Sequence, residues 1–238
     1  MKRSFTHLFA LGWLALTTGC AGSYTLIRPN NINTYTRSQS SGPVDLSYQF
    51  DALRLRRGNK KYVKKASKHG YQIVAVRVTN NWDREINFSR DLNLLYGDRP
   101  IAPTSSIAAA QDLKQGVLIY LLYLLGNVQV GGTTDPRTGA VRGGTFLPTG
   151  VLMAGGNMLG AGSANANLRK EFGAYDLTNR NIKAGETVYG ILPLRELSVA
   201  PLRVEMRGAP PQPAAPMPAP APVAPPATPP AGALPAPR

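Results

Sequence analysis

Apolar and polar positions divide this chain into blocks of different period. Phe5 to Leu16 is an almost unbroken apolar run behind Lys2 and Arg3, and Leu16-Thr17-Thr18-Gly19-Cys20 closes it with small residues. A basic start, a short apolar core and a small-residue end are the layout of an export signal, here residues 1–19, too short to be a spanning helix. Ala21 to Pro43 is polar and aperiodic, which predicts a tether; with Cys20 it makes a segment 20–45. Alternation begins at Leu46, Tyr48 and Phe50, and Leu53 and Leu55 are expected to continue that strand after a bulge. Tyr71 to Asn81 is the clearest strand, with Val74, Val76 and Val78 on one face. Trp82, Ile86 and Phe88, then Leu92, Leu94 and Leu95, predict two short strands stopped by Gly97-Asp98-Arg99-Pro100. The pattern resumes with strands expected at Phe172–Leu177, Thr187–Leu194 and Val199–Met206, and a turn at 181–186.

Between the strand sets lies an insert, residues 105–170, of a different character. Ser105 or Ser106 can cap a helix, and Val117 to Leu125 is almost wholly apolar. A spanning helix needs roughly 20 apolar residues, so this run is compatible with a core helix, a re-entrant segment or an interface-lying helix. After a turn-rich loop at 131–144, a second apolar stretch carries Gly156, Gly160 and Ala164 at i, i+4 and i+8, with Gly150 and Ala154 repeating the spacing. Small residues on one helical face let two backbones approach closely, so these three residues are candidates for helix packing or self-association. The expected insert is an apolar, glycine-rich α-helical hairpin, Val117–Leu125 against the glycine face. It either covers one face of the strands, dips into a membrane or pairs with a second copy. From Ala209 to Arg238 proline and alanine dominate, which predicts an extended polyproline spacer without a core.

Seven or so short strands with turns between them predict a mainly β fold, an antiparallel β-sandwich formed by residues 46–104 and 171–208. Val76-Arg77-Val78-Thr79-Asn80-Asn81, with Ala184-Gly185-Glu186-Thr187-Val188-Tyr189-Gly190 far downstream, resembles the immunoglobulin-like domains of many uncharacterised bacterial lipoproteins. The resemblance implies a binding or scaffolding module and no activity.

Charge changes the picture modestly. The chain carries 27 basic and 13 acidic residues, a net +14. Such an excess favours anionic surfaces such as lipid head groups. Lys60, Lys61, Lys64, Lys65 and Lys68 concentrate it in a hairpin tip or short helical turn, either a solvated loop or an anionic-surface contact. Candidate chemistry is sparse. His69 is the one histidine after the signal, too few for a His-based metal site or a Ser-His-Asp triad. Asp83 and Glu85 are expected on one side of a strand, with interleaved arginines pointing to ion pairing. No metal, cofactor or enzymatic activity is expected.

Cys20 is the chain's one cysteine. Its position directly after the small residues resembles the lipobox of bacterial lipoproteins, although Thr17 stands where that family usually has leucine. The resemblance implies cleavage before Cys20, acylation of its thiol and amine, and anchoring in a membrane. Ala21-Gly22-Ser23 lacks the aspartate of inner-membrane retention, which by the same analogy implies the periplasm-facing leaflet of the outer membrane. The expected partners are the lipid membrane through Cys20 and another envelope protein or a second copy, with no nucleic acid.

Overall fold

The computed structural model describes residues 21–38, 42–196 and 198–207. The expected signal, Cys20 and the proline-rich tail 209–238 lie outside the described residues. The fold is mixed α and β, with antiparallel sheets.

The strands appear in chain order as β1 (Thr36–Arg37), β2 (Val44–Gln49), β3 (Gln72–Asn80), β4 (Ile86–Asn87), β5 (Leu92–Tyr96) and β6 (Arg99–Ile101). After them come β7 (Val128–Val130), β8 (Thr133–Thr134), β9 (Val141–Arg142), β10 (Thr145–Leu147), β11 (Asn181–Ile182), β12 (Thr187–Leu194) and β13 (Leu202–Met206). Among the described residues three α-helices of eight residues or more accompany them: α1 (Lys60–Lys68), α2 (Ser106–Leu113) and α3 (Thr149–Ala174).

One sheet has the order β1-β2-β3-β12 and a second the order β13-β5-β6. Their facing sides share a core in which Leu46, Val74, Val76 and Val78 meet Leu92, Leu94, Leu202 and Val204. The valine face expected for residues 74–78 is this face. The opposite side of β3 is buried as well, because Ile73 and Ala75 with Ile191 of β12 pack on Tyr62, Leu113, Leu168 and Phe172 from the three helices. A strand covered on both sides reads as a near-continuous apolar run, as residues 73–76 do. Each of these fully buried large side chains contributes about 1.5–3 kcal/mol.

The two motif segments are neighbours. Thr187 pairs with Thr79 and Gly190 with Val76 across β12 and β3. Asn80 is fully buried, and its side-chain Nδ2 donates to the carbonyls of Arg84, Ile182 and Lys183 at 2.8, 3.1 and 3.1 Å. Its backbone closes the same junction, donating to Glu186 and accepting from Gly185. Gly185 has φ 71°, a left-handed conformation that favours glycine at this turn.

Several expectations are corrected. Leu53 and Leu55 lie in a 3-10 turn, Ala52–Leu55, because Leu53 points into the helical core rather than extending β2. Of the two alternatives for the lysine cluster the structure takes the helical one, longer than a single turn: helix α1, fixed by Tyr62 and Ala66 in that core. Phe88 opens a single helical turn, Phe88–Asp91, whose start is capped by the Asn87 side chain accepting from Ser89 and Arg90 N–H groups. Residues 172–174 end helix α3 instead of starting a strand, since Phe172 continues the helix's buried stripe.

The insert is not the simple α-hairpin expected. It runs through α2, a 3-10 run at Leu118–Leu125, a β-ribbon and α3. In the ribbon β7 pairs with β10 and β8 with β9. Leu118–Leu125 does pack along the start of α3. The close approach is at Gly150, where a Cβ would collide with the Tyr123 carbonyl oxygen, and not at the 156/160/164 face. No helix among the described residues is long and apolar enough to cross a membrane.

Candidate functional site

Residues 21–28 are not a free tether but a strap fastened to the helical side of the fold. Three amide side chains hold it. Ala21 N–H donates to Asn157 Oδ1 at 2.6 Å. Gln115 pairs with both backbone groups of Gly22, accepting at 2.9 Å and donating at 2.7 Å, and Asn59 does the same for Thr25 at 2.7 and 2.9 Å. An amide side chain carries the same donor and acceptor as a peptide unit, so it can receive a strand of backbone away from any sheet. Asn165 extends the arrangement by pairing with the backbone of Gln115 at 2.7 and 2.9 Å.

Glu171 closes the strap. Its carboxylate is 5% exposed and accepts from the Tyr24 hydroxyl, from Ile27 N–H at 3.0 Å and from Arg28 N–H at 2.7 Å. A buried carboxylate is tolerable only when its lone pairs are filled in this way. Burial first, then the neighbouring Glu171 charge, pushes the Tyr24 phenol far above the ordinary tyrosine range. Tyr24 also meets Tyr62 edge to face at 5.1 Å.

The strap leads away from a surface of unusual composition. Leu118–Leu125, the ribbon and the first half of α3 expose Leu118, Ile119, Leu122, Leu125, Val151 and Leu159 among others, with Leu125 at 85%. Tyr120 is buried beneath and stacks on Tyr123 at 6.2 Å. Helix α1 borders this surface, Lys61 Nζ donating to Tyr120 OH at 3.2 Å and Lys65 Nζ to the Lys114 carbonyl.

The expected site residues fall into different surroundings. Cys20 lies outside the described residues, one position before the bonded Ala21. Gly156 is exposed, and a Cβ there would meet nothing within 4 Å. Gly160 is exposed and faces the strap, a Cβ there lying 3.3 Å from the Ala21 methyl. Ala164 is buried in the helical core beside Leu168 and Phe172. The glycine face is thus no single packing surface. Lys60, Lys61, Lys64 and Lys68 are exposed on α1, and Lys65 is half-buried. His69 is exposed just beyond α1. Asp83 and Glu85 sit exposed in the bend between β3 and β4 rather than on a strand, beside Arg84, which stacks on Trp82 at 3.8 Å.

A cleft of about 440 Å³ opens on the second sheet, lined by Phe88, Leu92, Leu94, Ile101, Leu192 and Val204. Ser105 and Asp176, hydrogen-bonded at 2.9 Å, form part of its polar edge. Ser89, Asn93, Thr104, Thr178 and Arg207 also line it, so the cleft offers apolar and polar contacts together and can accept a small or extended ligand that carries both. Among the described residues no group of three or more His, Cys, Asp or Glu side chains is placed to hold a metal ion.

The chain matches no protein-family model, no curated protein and no solved structure.

The strap residues Asn59, Gln115, Asn157 and Glu171 escaped sequence reasoning. The usable signal is the buried stripe of α3: Gly150, Ala154, Asn157, Ala161, Ala164, Leu168 and Glu171 follow each other in steps of four and three. Two polar residues in register with an otherwise apolar stripe mark positions where a buried partner must exist.

Proposed function

We propose that this protein is an exported lipoprotein, acylated at Cys20, that serves as a non-enzymatic binding or scaffolding module of the cell envelope. Its membrane is the outer membrane, with the folded part facing the periplasm, and its partners are lipid and another envelope protein rather than nucleic acid. The two facing sheets make the immunoglobulin-like reading of the β part the finer form of this proposal, and the cleft on the second sheet is the place for a bound segment.

The observation that carries the reading is the strap. Ala21 is held to Asn157 at 2.6 Å, so a chain acylated one residue earlier is joined to its anchor without a long flexible spacer. Such an arrangement suits a module that works at the membrane surface. Three acyl chains would make that attachment durable, since each buried CH₂ adds about 0.8 kcal/mol. The test has two parts. Mass spectrometry of the amino-terminal peptide should find it beginning at Cys20 and carrying acyl chains; an unmodified peptide from soluble material refutes the reading. Crosslinking in the intact envelope should then capture the partner, and loss of that crosslink on Ala102→Arg, an exposed residue of the cleft wall outside the core, would assign the partner to it.

A further inference from the structure

We infer that the surface built from Leu118–Leu125, the ribbon and the first half of α3 docks on a lipid bilayer, entering the leaflet at the depth of the head group and acyl chain boundary. The inference deepens the anchoring proposal and takes from it only the identity of the membrane.

The first observation is concentration. Of the 17 large apolar side chains exposed among the described residues, 13 fall between Leu118 and Leu159. Soluble surfaces carry such residues singly, whereas a contiguous set marks an interaction face. The second is charge. Residues 115–134 and 143–168 contain no Asp, Glu, Lys or Arg, and Asp135, at the far turn of the ribbon, is the one acid between 115 and 168. The third is the border. Lys61 and Lys65 bind the edge of the apolar surface through Tyr120 and the Lys114 carbonyl, Lys60, Lys64 and Lys68 lie exposed on the same helix, and Arg137 and Arg142 flank the ribbon turn. The fourth is position, because the strap begins at Asn157 and Gly160, inside the apolar segment.

These features choose between occupants. In a symmetric pair of copies the basic border would meet itself, and like charges oppose association. Anionic head groups neutralise the same border while the acyl layer covers the leucines. Tyr123, half-buried on this surface above the buried Tyr120, suits that boundary, since a tyrosine ring presents an apolar body with a polar tip. The absence of a spanning helix among the described residues fits a segment that lies in the interface. Each leucine removed from water there strengthens binding about tenfold.

The test uses the full chain purified with its membrane and reconstituted into phosphatidylethanolamine–phosphatidylglycerol vesicles that contain a phospholipid with a diazirine in its acyl chain. After illumination, mass spectrometry should find lipid adducts on peptides covering 118–125 and 146–159. The pair Leu122→Glu and Leu125→Glu, both exposed and outside the core, should lower those adducts about tenfold or more. Adducts confined to the amino-terminal peptide overturn the inference. So does an unlabelled lobe in a chain whose mass by light scattering has doubled, which would assign the surface to a second copy. The same spectra keep the two proposals apart: an amino-terminal peptide without acyl mass refutes anchoring, and an unlabelled lobe refutes docking whatever the amino terminus carries.

Discussion

Ala21 and Asn157 are 136 positions apart in the chain and joined by a hydrogen bond of 2.6 Å. The bond makes the strap part of the folded body, and with Glu171 it ties the first described residues to both halves of the longest helix.

Glu171 is the most consequential single residue of the strap. Glu171→Gln keeps the shape but removes the charge and points an amide donor at N–H groups it previously received. Hydrogen bonds to a charged group contribute about 1.5–3 kcal/mol, so the variant should lose at least about 2 kcal/mol of stability. Urea denaturation measures the loss, and faster amide exchange at Ile27 and Arg28 should accompany it.

The strap also carries an alkaline limit. The Tyr24 phenol is raised by burial and by Glu171, above an unfolded value of about 10. A group whose folded pKa is raised contributes its stability fully below the unfolded value and loses it as pH rises beyond that point. The Tyr24 contribution should therefore be constant with pH around neutrality and decline above about pH 10. Burial raises the Tyr35 and Tyr62 phenols as well, so tyrosinate absorbance should show several late-ionising phenols, and Tyr24→Phe should remove one of them from the titration.

Two glycines should respond in opposite directions. Gly156→Ala adds a methyl to open space in a helix, so stability should rise by about 1 kcal/mol. Gly190→Ala drives a Cβ into the buried Leu177 side chain, and stability should fall by about 1–3 kcal/mol. Paired thermal melts check both signs.

Asn80→Ala should open the junction between β3 and β12. It leaves the carbonyls of Arg84, Ile182 and Lys183 without their shared donor, at a cost of about 1–3 kcal/mol for each buried group that water cannot reach. Hydrogen exchange should show the 181–186 turn losing protection before the middle of β12.

Much of the β part was legible because burial and alternation coincide there. β3 and β12 were anticipated almost to the residue, and Asn80 and Gly185 belonged to the two short motifs that point to one domain. The lysine cluster was left open between a hairpin tip and a short helical turn because only Tyr62 and Ala66 of α1 are buried, too few positions to show a helical period. Phe172 was misread because β-forming residues at a helix end look like a strand until the helix behind them is known.

The sequence by itself determined which segments had to be buried, which had to turn and where charge was absent, since these follow from side-chain transfer energies and local backbone preference. It determined nothing about where the polar strap would go. That was decided only in three dimensions, because Asn59, Gln115 and the α3 pair Asn157 and Glu171 come from three separate segments and act on residues 21–28 only after those segments have packed. The same is true of the apolar surface: in sequence the run Val117–Leu125 is compatible with a core, re-entrant or interface-lying segment, and only the packing of the helices and sheets leaves most of its leucines facing outward.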